Sequence, residues 1–504
     1  MSTECYSEKC LLSQSLNEQL LSSVLELSNN RTTEHCLFSY IIPNNLTATT
    51  TPLIAWVIIV LYATMNTVKK NLLVEELSIK KSFNELLTIR NTPLAILDIF
   101  RVLAIIWVMI NHTGSEGRID ILDRLSSAEQ FKKSIHEHPV FGAFLGNSAL
   151  GVEIFLVLSG LLAAISWMQK SNEPFWPHYS KFILHRCFRL LPSIGVFVFI
   201  ASGPLMKALL PRFHSTMIST CGFSGITSHL TFLGNWQLTP TCMGYLWYLG
   251  LDMQLQLLAP FLLHKLYKSQ KVGILIGMIA VITSSAIRAI YCLSYGVCNK
   301  SDVDIPFISY PNQDPKSLAK IYAGLWEMYA RPYTKCGPFI IGLLTGYFIS
   351  QVRNVQFNKK KSRHLFLLSL ALAIATIYAI LPEYWYPNQG NTTYNTLYTA
   401  LFRTVFATSI ALMIVAMVYN KQRLTVHPLW TILARLTFGA YLFHMPIVYI
   451  FNYVQFLQQA TTPYHLIAVI PFVALLSFMV SMIFYIFVES PFGRISRRLL
   501  SQLL

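Results

Sequence analysis

Apolar blocks of near-spanning length recur along this chain, at 53–68, 93–113, 147–168, 190–210, 245–263, 272–292, 334–350, 365–381, 397–418, 437–456 and 465–488. A helix needs about 20 apolar residues to cross the hydrocarbon core, with a range of about 17–25. In lipid every backbone polar group must be satisfied internally, so apolar blocks at this spacing become helices. The pattern predicts an all-α integral membrane protein, a polytopic helical bundle of about 11 spans without a large soluble domain. Composition agrees, with 54% of residues hydrophobic and 12% charged. A net charge of +16 raises the question of nucleic acid. The basic residues are spread over many short loops with no basic domain, which argues against that partner and for membrane lipids.

Those loops orient the bundle. Lys69, Lys70, Lys80, Lys81 and Arg90 follow the first block; Lys181, Arg186 and Arg189 precede the fourth; Lys265, Lys268 and Lys271 join the fifth and sixth. Arg353, Lys359, Lys360, Lys361 and Arg363 join the seventh and eighth. Lys421, Arg423 and Arg435 precede the tenth, and Arg494, Arg497 and Arg498 close the chain. With 11 spans all of these share one side, which the positive-inside rule makes the cytosol. The N-terminus is then outside and the C-terminus cytoplasmic, in either the endoplasmic reticulum or the plasma membrane. The reading divides the chain into an outer segment (1–52), an anchor span (53–68), a cytoplasmic linker (69–92), a ten-span region (93–490) and a basic cytoplasmic tail (491–504). Residues 1–52 lack a basic start followed by an apolar run, so no cleavable leader is expected.

Glycosylation sequons begin at Asn30, Asn45, Asn299 and Asn391, all in segments that the charge rule places outside. Asn111 begins a fifth, too close to a span end for use. Most cysteines lie in or beside outer segments, which face an oxidising compartment. Cys221 with Cys242 and Cys292 with Cys298 are candidate disulfides, although spacing alone leaves the pairing open. No spacing of Cys and His suggests a metal site.

Two constellations could do chemistry. The second block carries Asp98, Arg101 and His112, although an ionisable group at a span centre costs about 2.5–3.5 kcal/mol on the lowest scale. Eleven residues make close to three turns, so Arg101 and His112 share a face, about 16 Å apart. Asp98, one turn before Arg101, can pair with it. A neutral histidine at the outer end of a span can take a proton from a hydroxyl or amine; it can equally be an interfacial ring bonded to a carbonyl. The second constellation is His185-Arg-Cys-Phe-Arg189-Leu-Leu-Pro. Two guanidinium groups at 186 and 189 suit phosphate binding, or they anchor the helix to lipid headgroups.

The stretch Leu97–Thr113, with Arg101 and His112 ten residues between, resembles the first core helix of the acyltransferase-3 family of membrane acyltransferases. Arg186-x-x-Arg189 before Leu-Leu-Pro, Gly151–Leu162 with its Ser159-Gly160 ending, Tyr441-Leu-Phe-His444 and Val488-Glu-Ser-Pro491 resemble further motifs of that family in the same order. Trp247–Gln254, Cys336–Tyr347 and Arg435–Leu442 are similar to its animal "nose resistant to fluoxetine" branch. The resemblance covers about residues 90–495. It departs at Glu153, where aspartate is usual, at Leu251, where asparagine is usual, and in a shortened outer domain.

The resemblance implies a ten-helix acyltransferase-3-like core preceded by one anchor span. It implies O-acyltransferase activity, moving an acyl group from cytosolic acyl-CoA to an acceptor hydroxyl or amine. Acyl-CoA is then a co-substrate, with no bound cofactor, and the acceptor is an unknown lipid, glycan or small molecule. His112 is expected to be the general base, with Arg101 steering the donor or stabilising the oxyanion and Asp98 orienting Arg101. Arg186 and Arg189 are expected to hold the donor phosphates. Glu153, Asp252 and His444 are possible lining residues of the same cavity. Arg288 and Arg403 are expected to snorkel or to bridge helices. The rival reading is a transporter or transfer protein for lipids or lipophilic molecules that keeps the fold without catalysis, since intramembrane ionisable groups also mark transport routes.

Overall fold

In a computed structural model of the chain the described residues of every apolar block are largely helical. The structure describes residues 46–65, 75–89, 92–114, 140–298, 315–451 and 462–503, with breaks at 148, 171, 220, 238–241, 353–354, 387–389 and 421–424, and the single positions 134, 138, 454 and 456. Asn30, Asn45 and Asn299 lie outside the described residues.

Helix α1 (Leu46–Met65) coincides with the anchor block, and a short amphipathic helix α2 (Ile79–Leu87) follows it. A 3-10 turn at Pro93–Ala95 opens α3 (Ile96–Gly114); then come α4 (Phe141–Gly146), α5 (Leu150–Met168) and α6 (Phe175–Ser202). Three short helices, α7 (Pro204–Leu209), α8 (Pro211–Met217) and α9 (Phe223–Leu230), precede α10 (Trp247–Lys268) and α11 (Gln270–Tyr295). The second half holds α12 (Pro315–Ala330), α13 (Pro332–Gln351), α14 (Lys359–Tyr378), α15 (Leu381–Trp385), α16 (Thr392–Val418), α17 (Pro428–Phe451) and α18 (Pro463–Phe484). A π turn at Tyr485–Glu489 leads into α19 (Ser490–Leu503). Nine helices among the described residues are long and apolar enough to cross a membrane. α1 offers a shorter apolar stretch, Thr50–Met65, and α13 carries Lys335 in its first turn. α3 packs between α5 and α17, α5 lies along α13, and α17 along α18.

The last residues are not a loose tail. α19 packs on α6 and α2, with Arg494 buried: its guanidinium reaches the Glu76 carbonyl at 2.9 Å, Ser82 Oγ at 2.9 Å and the Glu85 carboxylate at 2.9 Å. Paired in this way, a basic residue becomes part of the protein interior.

Proline placement fixes several helix contacts. A proline has no N–H, so the carbonyl four residues earlier loses its helical donor. In an apolar setting that carbonyl needs another. Pro446 strips Leu442, whose oxygen accepts from Tyr245 Oη at 3.2 Å. Pro338 strips Thr334, which accepts from Arg288 at 3.3 Å. Pro192 strips Phe188, which accepts from Ser496 Oγ at 2.7 Å, and Pro491 strips Phe487, which accepts from Trp56 Nε1 at 2.8 Å. Each donor comes from a different helix, so each proline joins two elements.

α5 and α13 approach so closely that side chains are excluded. A Cβ on Gly342 would lie 2.0 Å from the Val157 carbonyl oxygen, and one on Gly346 would lie 2.2 Å from that of Leu161. Gly160 answers from the other helix, where a Cβ would sit 2.0 Å from the Phe339 oxygen. This is the small-xxx-small packing of membrane helices, in which backbone approach replaces side-chain burial. Gly342→Ala is expected to destabilise the bundle by about 1–3 kcal/mol, since the clash is with rigid backbone. A thermal melt in detergent checks it, and an unchanged midpoint would mean that the helices can part freely.

Beyond the far end of α6, disulfides join Cys221 to Cys242 and Cys292 to Cys298. His229 packs into this end with Nε2 at 2.8 Å from the Cys242 carbonyl. Burial holds its imidazole below the ordinary value, so between the two values the unfolded ring binds more protons than the folded one. Stability from His229 is therefore complete above about pH 6.5, the unfolded value, and falls as the pH drops below it. Melts from about pH 7.5 to 5.5 are expected to show that decline in the parent protein and less of it in His229→Gln. Equal slopes would place the acid sensitivity elsewhere.

Candidate functional site

On α3 the expected pairing of Asp98 with Arg101 is present. Asp98 is fully buried, and its Oδ1 lies 3.7 Å from a terminal nitrogen of Arg101. Arg101, about a quarter exposed, projects into a cavity of about 460 Å³. Seven helices and the π turn build that cavity. α3 contributes Arg101 and Val108, and α5 contributes Val152 and Phe155. α17 supplies Arg435 and Tyr441, and α10 supplies Tyr248. At its arginine-rich end stand Glu85 of α2, His185 and Arg189 of α6, and Arg497 of α19. The π turn adds Tyr485 and Glu489. The extra residue in such a turn rotates side chains that an α-helix would point elsewhere, and π turns often mark functional positions.

At the other end the lining includes Val108 and Tyr441, and His112 lies one turn beyond Val108. His112 is buried, with its ring 5.0 Å from that of His444. His444 Nδ1 is 2.6 Å from the Tyr441 carbonyl. A carbonyl only accepts, so Nδ1 carries a hydrogen and donates it to Tyr441. Tyr245 packs edge-on against His444 at 5.5 Å, and its hydroxyl donates to the proline-freed carbonyl of Leu442. The carbonyl freed by Pro446 and the ring of His444 are thus held by the same tyrosine.

The two arginines of the α6 motif part company. Arg189 lines the cavity. Arg186 lies over the Phe182 ring, 4.8 Å from its centroid, and interacts with the Asp252 charge. Asp252 accepts from Ser159 Oγ, which accepts in turn from Gln256 Nε2 at 2.6 Å. This network ties α5, α6 and α10 together behind the cavity wall. Glu153, Asp252 and His444 are not among the cavity's lining residues. Asp252 is taken up by this network, and His444 sits beyond Tyr441.

Glu153 is engaged in an ionic cluster that sequence reasoning missed. Its carboxylate pairs with Lys335 Nζ of α13 and lies 3.7 Å from Arg403 of α16, all three fully buried. Lys335 sits 4.4 Å from the Tyr329 ring centroid, an interaction that suits a desolvated cation. Arg403 donates to the Met328 carbonyl at 3.1 Å, and Arg288 donates to Ser285, Thr404, Thr334 and Ala400. Both arginines bridge helices and neither snorkels. The one signal in sequence was Lys335 at the head of an apolar block; nothing local points it at Glu153. Asn391 is exposed at the start of α16, where its side-chain oxygen caps the Thr393 amide at 2.8 Å.

Comparison with known proteins adds the following. The acyltransferase-3 family model, described as an acyltransferase domain, matches residues 94–486. A Caenorhabditis elegans protein named "Regulator of hypoxia-inducible factor 1" is 54% identical over 504 residues, covering 100% of both chains. Another from that nematode, "Nose resistant to fluoxetine protein 6", is 25% identical over 323 residues, 58% of this chain and 36% of its own length. No solved structure matches.

Proposed function

Because this chain belongs to the acyltransferase-3 family, in its nose-resistant-to-fluoxetine-like branch, we propose that it transfers an acyl group from cytosolic acyl-CoA to an acceptor hydroxyl or amine. The observation that supports this best is the run of the cavity, lined by four arginines, from Arg189 and Arg497 at one end to Val108 and Tyr441 beside the His112–His444 pair at the other. The donor's phosphates sit at the arginine-rich end, and its thin pantetheine arm runs inward along Arg101. His112 takes the acceptor proton as the acceptor attacks the thioester carbonyl. The tetrahedral intermediate collapses by breaking the carbon–sulfur bond, and the imidazolium returns the proton to the departing thiolate. Arg101, about 16 Å from His112 along α3, is too distant to hold the oxyanion there and steers the donor instead. His444, with Nδ1 tied to Tyr441, fixes the ring against which His112 packs. The name of the 54% identical relative, a regulator of hypoxia-inducible factor 1, fits an enzyme whose acylated product carries a signal.

Purified full-length protein in detergent, incubated with radiolabelled acetyl-CoA and a longer acyl-CoA, tests the reading. Donor binding and thioester loss are the expected results. If neither donor binds, the acyltransferase reading falls and movement of lipids or lipophilic molecules through the bundle takes its place.

A further inference from the structure

We propose that Arg497, on α19, is a phosphate-binding residue of the cavity mouth, and that the Glu85 carboxylate occupies that position until a phosphate-bearing ligand displaces it. The proposal rests on the reading of the cavity as the donor's seat and extends it to a residue outside the Arg-x-x-Arg motif. Three observations support it. The motif's first arginine, Arg186, is turned toward Phe182 and Asp252, which leaves Arg189 as its representative in the lining. Arg497 enters the same lining from α19, the helix packed on α6, and His185 feels the charge of both Arg189 and Arg497. Glu85 reaches this mouth from α2, with Oε1 at 3.5 Å from Arg497 and Oε2 at 2.9 Å from Arg494.

The chemistry of exchange is direct. Carboxylate and phosphate oxygens compete for the same guanidinium hydrogens, and a phosphate offers more charge and more acceptors. Arg497 is 58% exposed while Arg494 is 3% exposed, so Arg494 holds α2 in place and Arg497 is the partner free to change hands. The Arg435 guanidinium grips the Glu85 and Leu86 carbonyls, which keeps the backbone of α2 seated when the Glu85 side chain swings away.

The test is equilibrium binding to full-length protein in detergent, with three probes: radiolabelled acetyl-CoA, inorganic pyrophosphate and a short-chain phosphatidic acid. Arg497→Gln is expected to weaken binding about ten- to a hundredfold, the range for a hydrogen bond to a charged group. Glu85→Gln is expected to tighten it, because a neutral amide no longer competes for Arg497. A merely structural junction between α2 and α19 would move both variants in the same direction. Arg498→Gln, which pairs with Glu76 at 3.9 Å, serves as the neighbouring control and is expected to bind as the parent does. Melts confirm that each variant is folded.

If acetyl-CoA fails to bind but pyrophosphate or phosphatidic acid shows the same opposed signs, the phosphate site stands and the acyl-CoA reading falls. Arg497→Gln binding every probe like the parent, Glu85→Gln weakening in step with it, or no probe binding at all would each overturn the proposal.

Discussion

His112→Ala is expected to lower thioester turnover by about 10²–10⁴-fold, the range over which a positioned general base acts. The loss should fall on kcat with KM little changed, because His112 lies past Val108, at the end of the cavity away from the arginines that hold the donor phosphates. The ring is buried against His444, so truncation leaves space in the core. His112→Gln, closer in volume and unable to take a proton at neutral pH, separates lost packing from lost basicity. Both variants should lose turnover, and the glutamine variant should melt nearer the parent. Undiminished turnover by folded His112→Ala protein would remove this histidine from the chemistry.

The second large effect is on stability. Glu153→Gln removes the carboxylate that pairs with Lys335 and Arg403 in the fully buried cluster. Breaking such a pair costs about 3–5 kcal/mol, because the remaining charge keeps its desolvation penalty and loses its attraction. Removing both charges, in Glu153→Gln with Lys335→Met, should recover part of the loss, and the double-mutant cycle gives the coupling. Chemical denaturation in detergent reads both. A Glu153→Gln midpoint equal to the parent's would mean that Lys335 is not held by this carboxylate.

The spans were legible because length and hydropathy are local. The block at 93–113 coincides with the apolar helix Pro93–Thr113, and the block beginning at 334 is α13, even with a lysine in its first turn. The face shared by Asp98, Arg101 and His112 followed from helical spacing alone. Less visible were contacts that depend on which helices become neighbours. Glu153 and Lys335 lie 182 positions apart in sequence, and no periodicity joins them. Arg186 and Arg189 looked like one clamp, but three residues advance a helix by about 300°, leaving the pair about 60° apart. That offset lets them straddle an edge, one facing the cavity and one facing Asp252. The closing segment read as a tail because Arg494, Arg497 and Arg498 crowd it. Its apolar partners at Phe492, Ile495 and Leu500 were too few to announce a docked helix.

The prolines and their borrowed donors have a consequence for how such a chain can diverge. Losing Pro446 first restores an amide to the Leu442 carbonyl, and Tyr245 becomes dispensable for that role. Losing Tyr245 first strands a carbonyl in an apolar interior, at several kcal/mol. The same asymmetry holds for Pro338 with Arg288, Pro192 with Ser496 and Pro491 with Trp56. Substitution at these pairs therefore has a permitted order, proline before donor. Descendants of this fold should include chains that have kept the donor after losing the proline, and rarely the reverse.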